Sequence, residues 1–255
     1  MSSIVERGDL ESVSIVERKE LPQGLTLING LPDVGLVGVL AVSHLVSSLK
    51  MEEAGSIESE LFPPLVVLHR GLPRSPMRIF VKDSIAAIVS ETAVPSEAVH
   101  DLADAIVKWA HLKNAKMVIS VGGMAVQNRQ NIEKPKVFAA LTNEGLAKML
   151  GDSAEVLQEG YMVGPYALIL KKCFDFKISG ITLLAQSFYN YPDPEAAAAV
   201  LGSLEKITGV AVDVSELLQK GEEIRLRAKD IMRRTQEEMS KMSKSHEYEV
   251  PPLYG

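Results

Sequence analysis

An apolar run, Leu25-Thr26-Leu27-Ile28-Asn29, ends in the glycine-punctuated stretch Gly30-Leu31-Pro32-Asp33-Val34-Gly35-Leu36-Val37-Gly38 and passes directly into a helix-period segment over 39–49. That is the layout of strand, turn and helix in an α/β protein, and open α/β sheets bind ligands at such turns. A Walker-type loop needs two glycines five apart followed by Lys and then Ser or Thr, which handle the phosphates and magnesium. Gly30 and Gly35 have the spacing, but Leu36 and Val37 stand where the lysine and hydroxyl should be. The dinucleotide fingerprint keeps only its closing Gly35-x-x-Gly38, and Asp33 replaces a glycine that would admit pyrophosphate. An aspartate there repels an anion and suits the N-cap of the next helix. The stretch reads first as a tight turn that lets a helix pack closely on a strand, and second as a ligand site.

The rest of the chain follows the same alternation. Strands are predicted near 13–16 and over 25–31, 56–61, 65–69, 77–82, 85–89, 117–121, 137–141 and 178–185, with Phe62-Pro63-Pro64 and 71–76 as rigid loops. The pentapeptide Ser-Ile-Val-Glu-Arg occurs at 3–7 and again at 14–18, and is read as coincidence. Helices are predicted over 34–50, 96–112 (capped by Ser96), 143–150, 164–176 and 195–208, the last opened by Asp193 as N-cap and Pro194 at the first position. On the first of these, Ser43, His44, Ser47 and Ser48 form a polar stripe. His100, Asp104, Lys108 and His111 form a solvated stripe on the second, the histidines too far apart for the usual helical zinc pair. A last helix over 216–244, with Asp213 and Glu216 placed as a capping box, carries the thin apolar stripe Leu217, Ile224, Ala228, Ile231, Met239 and Met242. The expected fold is three-layer α/β, a mostly parallel or mixed sheet covered by helices on both faces. Residues 1–214 form the domain, 215–244 a long amphipathic C-terminal helix, and 245–255 a flexible tail stiffened by Pro251-Pro252.

A net charge of -6 offers no basic field for nucleic acid or an anionic membrane, and no apolar run is long enough to span a bilayer. One cysteine, Cys173, and no signal-type segment lead us to expect a cytoplasmic setting. No Gly-x-Ser-x-Gly elbow and no histidine pair four apart occur, so no catalytic residue, metal or cofactor is expected. One enzymatic alternative remains: a nucleoside phosphorylase or hydrolase type pocket at three strand-end turns. It would be lined by Gly30, Asp33, Gly35, Gly38, Ser90, Glu91, Gly122 and Gly123, with Glu91 as acid or base.

The ending Leu253-Tyr254-Gly255 fits hydrophobic-tyrosine-any residue at a free carboxyl terminus, the signal by which activators and chaperones enter pockets between proteasome α-subunits. The two side chains would anchor, and the carboxylate would pair with a cation in the pocket. Taken together, Gly30 to Gly38, Ser90-Glu91-x-x-x-Pro95, Gly122-Gly123 and Tyr191-Pro192-Asp193-Pro194-Glu195-Ala196-Ala197 resemble the archaeal branch of the family of the second proteasome assembly chaperone, over roughly 20–240. The resemblance implies a phosphorylase-like three-layer fold, a non-enzymatic role at the α-ring of the 20S proteasome, and self-association into a homo-oligomer. Of the family's functional residues it carries over Leu253, Tyr254 and Gly255.

Overall fold

The computed structural model describes residues 12–242. In chain order, β1 (Val13–Glu17) and β2 (Thr26–Gly30) lead through a single 3-10 turn, Val34–Leu36, into α1 (Val37–Leu49). Five strands follow: β3 (Glu52–Ser59), β4 (Val67–His69), β5 (Leu72–Arg74), β6 (Met77–Lys82) and β7 (Ile85–Ser90). Then come α2 (Val99–Leu112), β8 (Met117–Ala125), β9 (Val137–Leu141), α3 (Ala147–Leu150), β10 (Glu155–Val156), α4 (Pro165–Asp175) and β11 (Gly180–Ser187). The chain closes on α5 (Pro194–Thr208), α6 (Ser215–Gln219), α7 (Gly221–Arg227) and α8 (Lys229–Lys241).

Nine strands form one sheet in the order β1-β3-β6-β7-β2-β8-β11-β9-β10. Its centre, β7-β2-β8-β11, is parallel, and β1, β3, β6 and β9 pair antiparallel. β2 puts apolar side chains on both faces because both are covered: Leu27 belongs to the cluster under α2 and α4, and Ile28 to the cluster under α1 and α5. Leu102, Ile106 and Ile169 fill the first layer, and Val42, Leu45, Val200 and Leu204 the second. This is the expected three-layer α/β architecture.

Four local expectations change. Gly122 and Gly123 lie inside β8, paired with Leu184 and Ala185 of β11, and form no turn. Part of the loop 71–76 is a strand: β5 pairs with β4 in a separate two-stranded ribbon, where Pro73 is tolerated because each strand has a neighbour on one side only. The C-terminal helix comes as three segments, broken before Gly221, a poor helix former, and at Ala228. Those breaks let α6 pack on α5 while α8 crosses to the strand ends. Ahead of it, Asp213 accepts from the Ser215 N–H at 2.9 Å, but Glu216 pairs with Lys220, so the reciprocal half of the capping box is not made. The first copy of the pentapeptide and the tail lie outside the described residues, and the second copy forms most of β1.

Candidate functional site

The predicted pocket residues do gather at the carboxyl ends of β2, β7 and β8, and they are packed together there. Asp33 makes no side-chain cap, because Gly35 (φ 60) and Leu36 (φ 50) both turn left-handed and delay α1 until Val37. Its backbone carbonyl instead accepts from the Leu36 N–H at 2.9 Å, while its carboxylate is buried toward β8. Gly38 lets α1 approach the sheet: a Cβ there would stand 2.1 Å from the Val121 carbonyl oxygen and 2.5 Å from the Tyr166 hydroxyl. A Cβ on Gly122 would meet the Tyr166 ring at 2.5 Å and Asp33 Oδ2 at 2.9 Å. Gly30 and Gly123 sit against α1 and the turn at Val34 in the same way.

Tyr166 is what fills this place. Fully buried, its hydroxyl donates to the Leu31 carbonyl at 2.7 Å and accepts from the Leu31 N–H at 2.8 Å, tying α4 to the end of β2. Burial first, and then the nearby Asp33 charge, push its ionisation well above the ordinary range, so it stays a neutral phenol. Ser90 donates to the Thr92 carbonyl at 2.7 Å, closing a local turn. Glu91, the acid or base of the enzymatic alternative, is turned to β6 and paired with Arg78 at 2.8 Å.

α8 lies over the same strand ends. Its Met232 and Met239 pack on Val34, Leu36 and Val39. Glu238 accepts the Ser96 N–H at 2.9 Å, so the turn leading into α2 is capped by this helix and not by the Ser96 side chain. The space left beneath α8, beside Asp33, Thr235 and Glu238, is about 10 Å³, close to one water molecule.

Two features escaped the sequence reading. Asp193 does cap α5, accepting from the Ala196 N–H at 3.0 Å, but it also meets Arg129 at 2.7 Å in a buried ion pair that Glu195 extends at 2.8 Å. Nothing local signals a partner 64 residues away. Beside this pair opens a cleft of about 730 Å³ between α5, the α6–α7 segment and the loop before β9. Elsewhere His100 and His111 are exposed on α2, and Asp104 pairs with Lys108 and Lys172 at 2.8 and 2.6 Å. Cys173 is buried and its thiol is pushed up to about 12 by desolvation, which removes it as a nucleophile. Among the described residues no group of His, Cys, Asp and Glu could hold a metal ion, and no helix is long and apolar enough to cross a membrane. Leu253, Tyr254 and Gly255 lie outside the described residues.

The model of the PAC2 family matches residues 27–232, from β2 to α8. The chain belongs to the PAC2 family. Among solved structures of comparable shape, PbaA of Pyrococcus furiosus, an archaeal homolog of proteasome-assembly chaperone, superposes with a TM-score of 0.83 at 28% identity, over 88% of this chain and 98% of its own. PbaB of the same organism, an archaeal proteasome activator, gives 0.73 at 26% identity, over 87% of this chain and 99% of its own. An uncharacterized protein of Methanocaldococcus jannaschii is 27% identical over 96% of this chain and 99% of its own length. The family match takes in the glycine turn and the strand ends, and it stops at Met232, within the first turn of α8.

Proposed function

We propose that this chain is a non-enzymatic proteasome assembly chaperone or adaptor of the cytoplasm. It docks Leu253-Tyr254-Gly255 into pockets of the 20S proteasome α-ring, and acts as a homo-oligomer. The likeness to PbaA and PbaB over nearly the whole chain carries this reading. The strand ends support it over the enzymatic alternative: the place a substrate would take is filled by Tyr166 and covered by α8, and Glu91 is held by Arg78. In this reading the glycine turn organises the fold, and contact with the partner belongs to the tail. Several weak tails on one scaffold gain avidity, which links self-association to function. Deleting 253–255 abolishes co-purification with 20S particles while leaving the thermal transition unchanged; undiminished capture by the shortened chain would refute it.

A further inference from the structure

The β4–β5 ribbon stands apart from the nine-stranded sheet as a tight hairpin. Arg70 (φ 52) and Gly71 (φ 77) are both left-handed in the loop between His69 and Leu72, the turn that matches the twist of paired strands. Val67 pairs with Arg74, and Leu68 with Pro73. Proline has no N–H to offer, so it shuts the outer edge of β5 and leaves the open edge to β4. Side chains alternate along β4. Val66 and Leu68, 61% and 70% exposed, fall on one face; Val67 and His69 fall on the other, with Arg74 as the cross-strand partner of Val67. Glu53 is shared among Arg18, Arg78 and Arg74, the last standing off at 4.0 Å, and neither His69 nor Arg70 makes an ion pair among the described residues. Residues 61–76 contain no acidic side chain. A strand that completes this edge is therefore apolar at alternate positions and acidic between them.

His246-Glu247-Tyr248-Glu249-Val250 has that alternation. In an extended strand Tyr248 and Val250 share one side and Glu247 and Glu249 the other, which sets the first pair over Val66 and Leu68 and the second beside His69 and Arg74. Tyrosine and valine favour strands, and Pro251-Pro252 directly afterwards cannot continue a ladder. The ribbon also stands near the point from which this segment starts. Met242, the last described residue, lines the small space beneath α8 together with Val94. Glu91, just before Val94, donates its N–H to the Pro76 carbonyl at 2.7 Å, and Pro76 follows the end of β5 at Arg74. From Val94 back to Glu91 and from Pro76 back to Arg74 the chain covers at most roughly 17 Å, and the turn closed by Ser90 and Thr92 shortens that path. From Met242 to Val250 an extended chain reaches roughly 27 Å.

We propose that residues 246–250 add to the open edge of β4 in the same subunit, as the third strand of the ribbon. A two-stranded ribbon by itself is marginal in water, and a third strand that covers an apolar face stabilises it. Pairing stops at Pro251, so Leu253-Tyr254-Gly255 project from a fixed point on the ribbon. The inference rests on the tail reading above for its consequence: a tail held as far as Val250 loses less freedom when it enters the α-ring.

Hydrogen exchange over 246–250, read residue by residue in the full chain, tests the pairing, with the peptide 243–255 alone as the unpaired reference. Exchange about tenfold slower than in the peptide is expected at alternate amides, at every protein concentration. It returns to the peptide's rate in Val66→Asp with Leu68→Asp, two exposed positions whose replacement leaves the thermal transition unchanged. Glu247→Lys with Glu249→Lys loses the protection as well, because the new lysines face His69 and Arg74. Exchange in the wild type at the peptide's rate overturns the proposal. So does protection kept by the ribbon variant, which puts the segment elsewhere on the surface, or protection that fades on dilution, which puts it on another copy. Removal of 253–255 leaves the protection in place and no 20S particle enters the measurement, so failure of tail docking and failure of this pairing are read separately.

Discussion

Arg129 and Asp193 are 2% and 0% exposed and meet at 2.7 Å, so each is the other's charged compensation for leaving water. Removing Arg129 leaves the buried Asp193 carboxylate with neutral donors alone, the Ser187 hydroxyl and the Phe188 and Ala196 N–H groups, and Arg129→Met is expected to cost about 3–5 kcal/mol in denaturant unfolding. A loss under about 1 kcal/mol would show that those neutral donors suffice for Asp193. The aspartate's capping role was legible, because Asp-Pro before an alanine-rich run has a mechanism in the sequence itself. Its guanidinium partner was not, since pairing across 64 residues leaves no local periodicity. Glycines give a second contrast. Gly122→Ala drives a Cβ into the Tyr166 ring and is expected to cost roughly 1–3 kcal/mol. Gly202→Ala, on an exposed turn of α5 with open space around it, is expected to gain roughly 0.5–1 kcal/mol. Equal effects at the two positions would contradict the packing described at the strand ends.

α8 shows how an element can be anticipated while its role is missed. Its narrow apolar stripe foretold a helix packing along one face, and Met239 is indeed buried. That it covers the strand ends follows the breaks before Gly221 and at Ala228, after which α8 meets the turn at Val34. Its main polar tether is titratable. Burial raises the Glu238 carboxyl, but hydrogen bonds from Lys241 and the Ser96 N–H outweigh that and hold it below its ordinary 4.5. A carboxylate lowered in the folded state adds stability above its unfolded value, and that contribution is lost as pH falls through the folded value. Protection of the Ser96 amide from hydrogen exchange is therefore expected to decline in that acidic window, and in Glu238→Gln, whose amide oxygen still accepts, to lose this pH dependence. An identical acid profile in the variant would assign the loss to another group. The β5 strand was missed for a different reason: a three-residue strand containing Pro73 carries turn residues, and only its partner β4 makes it a strand.

The layers of the molecule were readable because strands apolar on both faces imply helices on both sides. Strand order was not, since Leu27 and Ile28 say that β2 is central without saying that β7 and β8 flank it. The glycine turn kept its meaning as a packing device, and the pocket imagined beside it became the seat of Tyr166 and the floor under α8. Function then moves to the tail, which would meet the α-ring. Binding to immobilised 20S particles at matched oligomer mass compares the intact chain, Tyr254→Ala and the chain lacking 253–255. The predicted result is saturable binding of the intact chain, with affinity at least tenfold weaker, about 1.4 kcal/mol, in both variants. Equal affinity for all three would contradict docking through the tail.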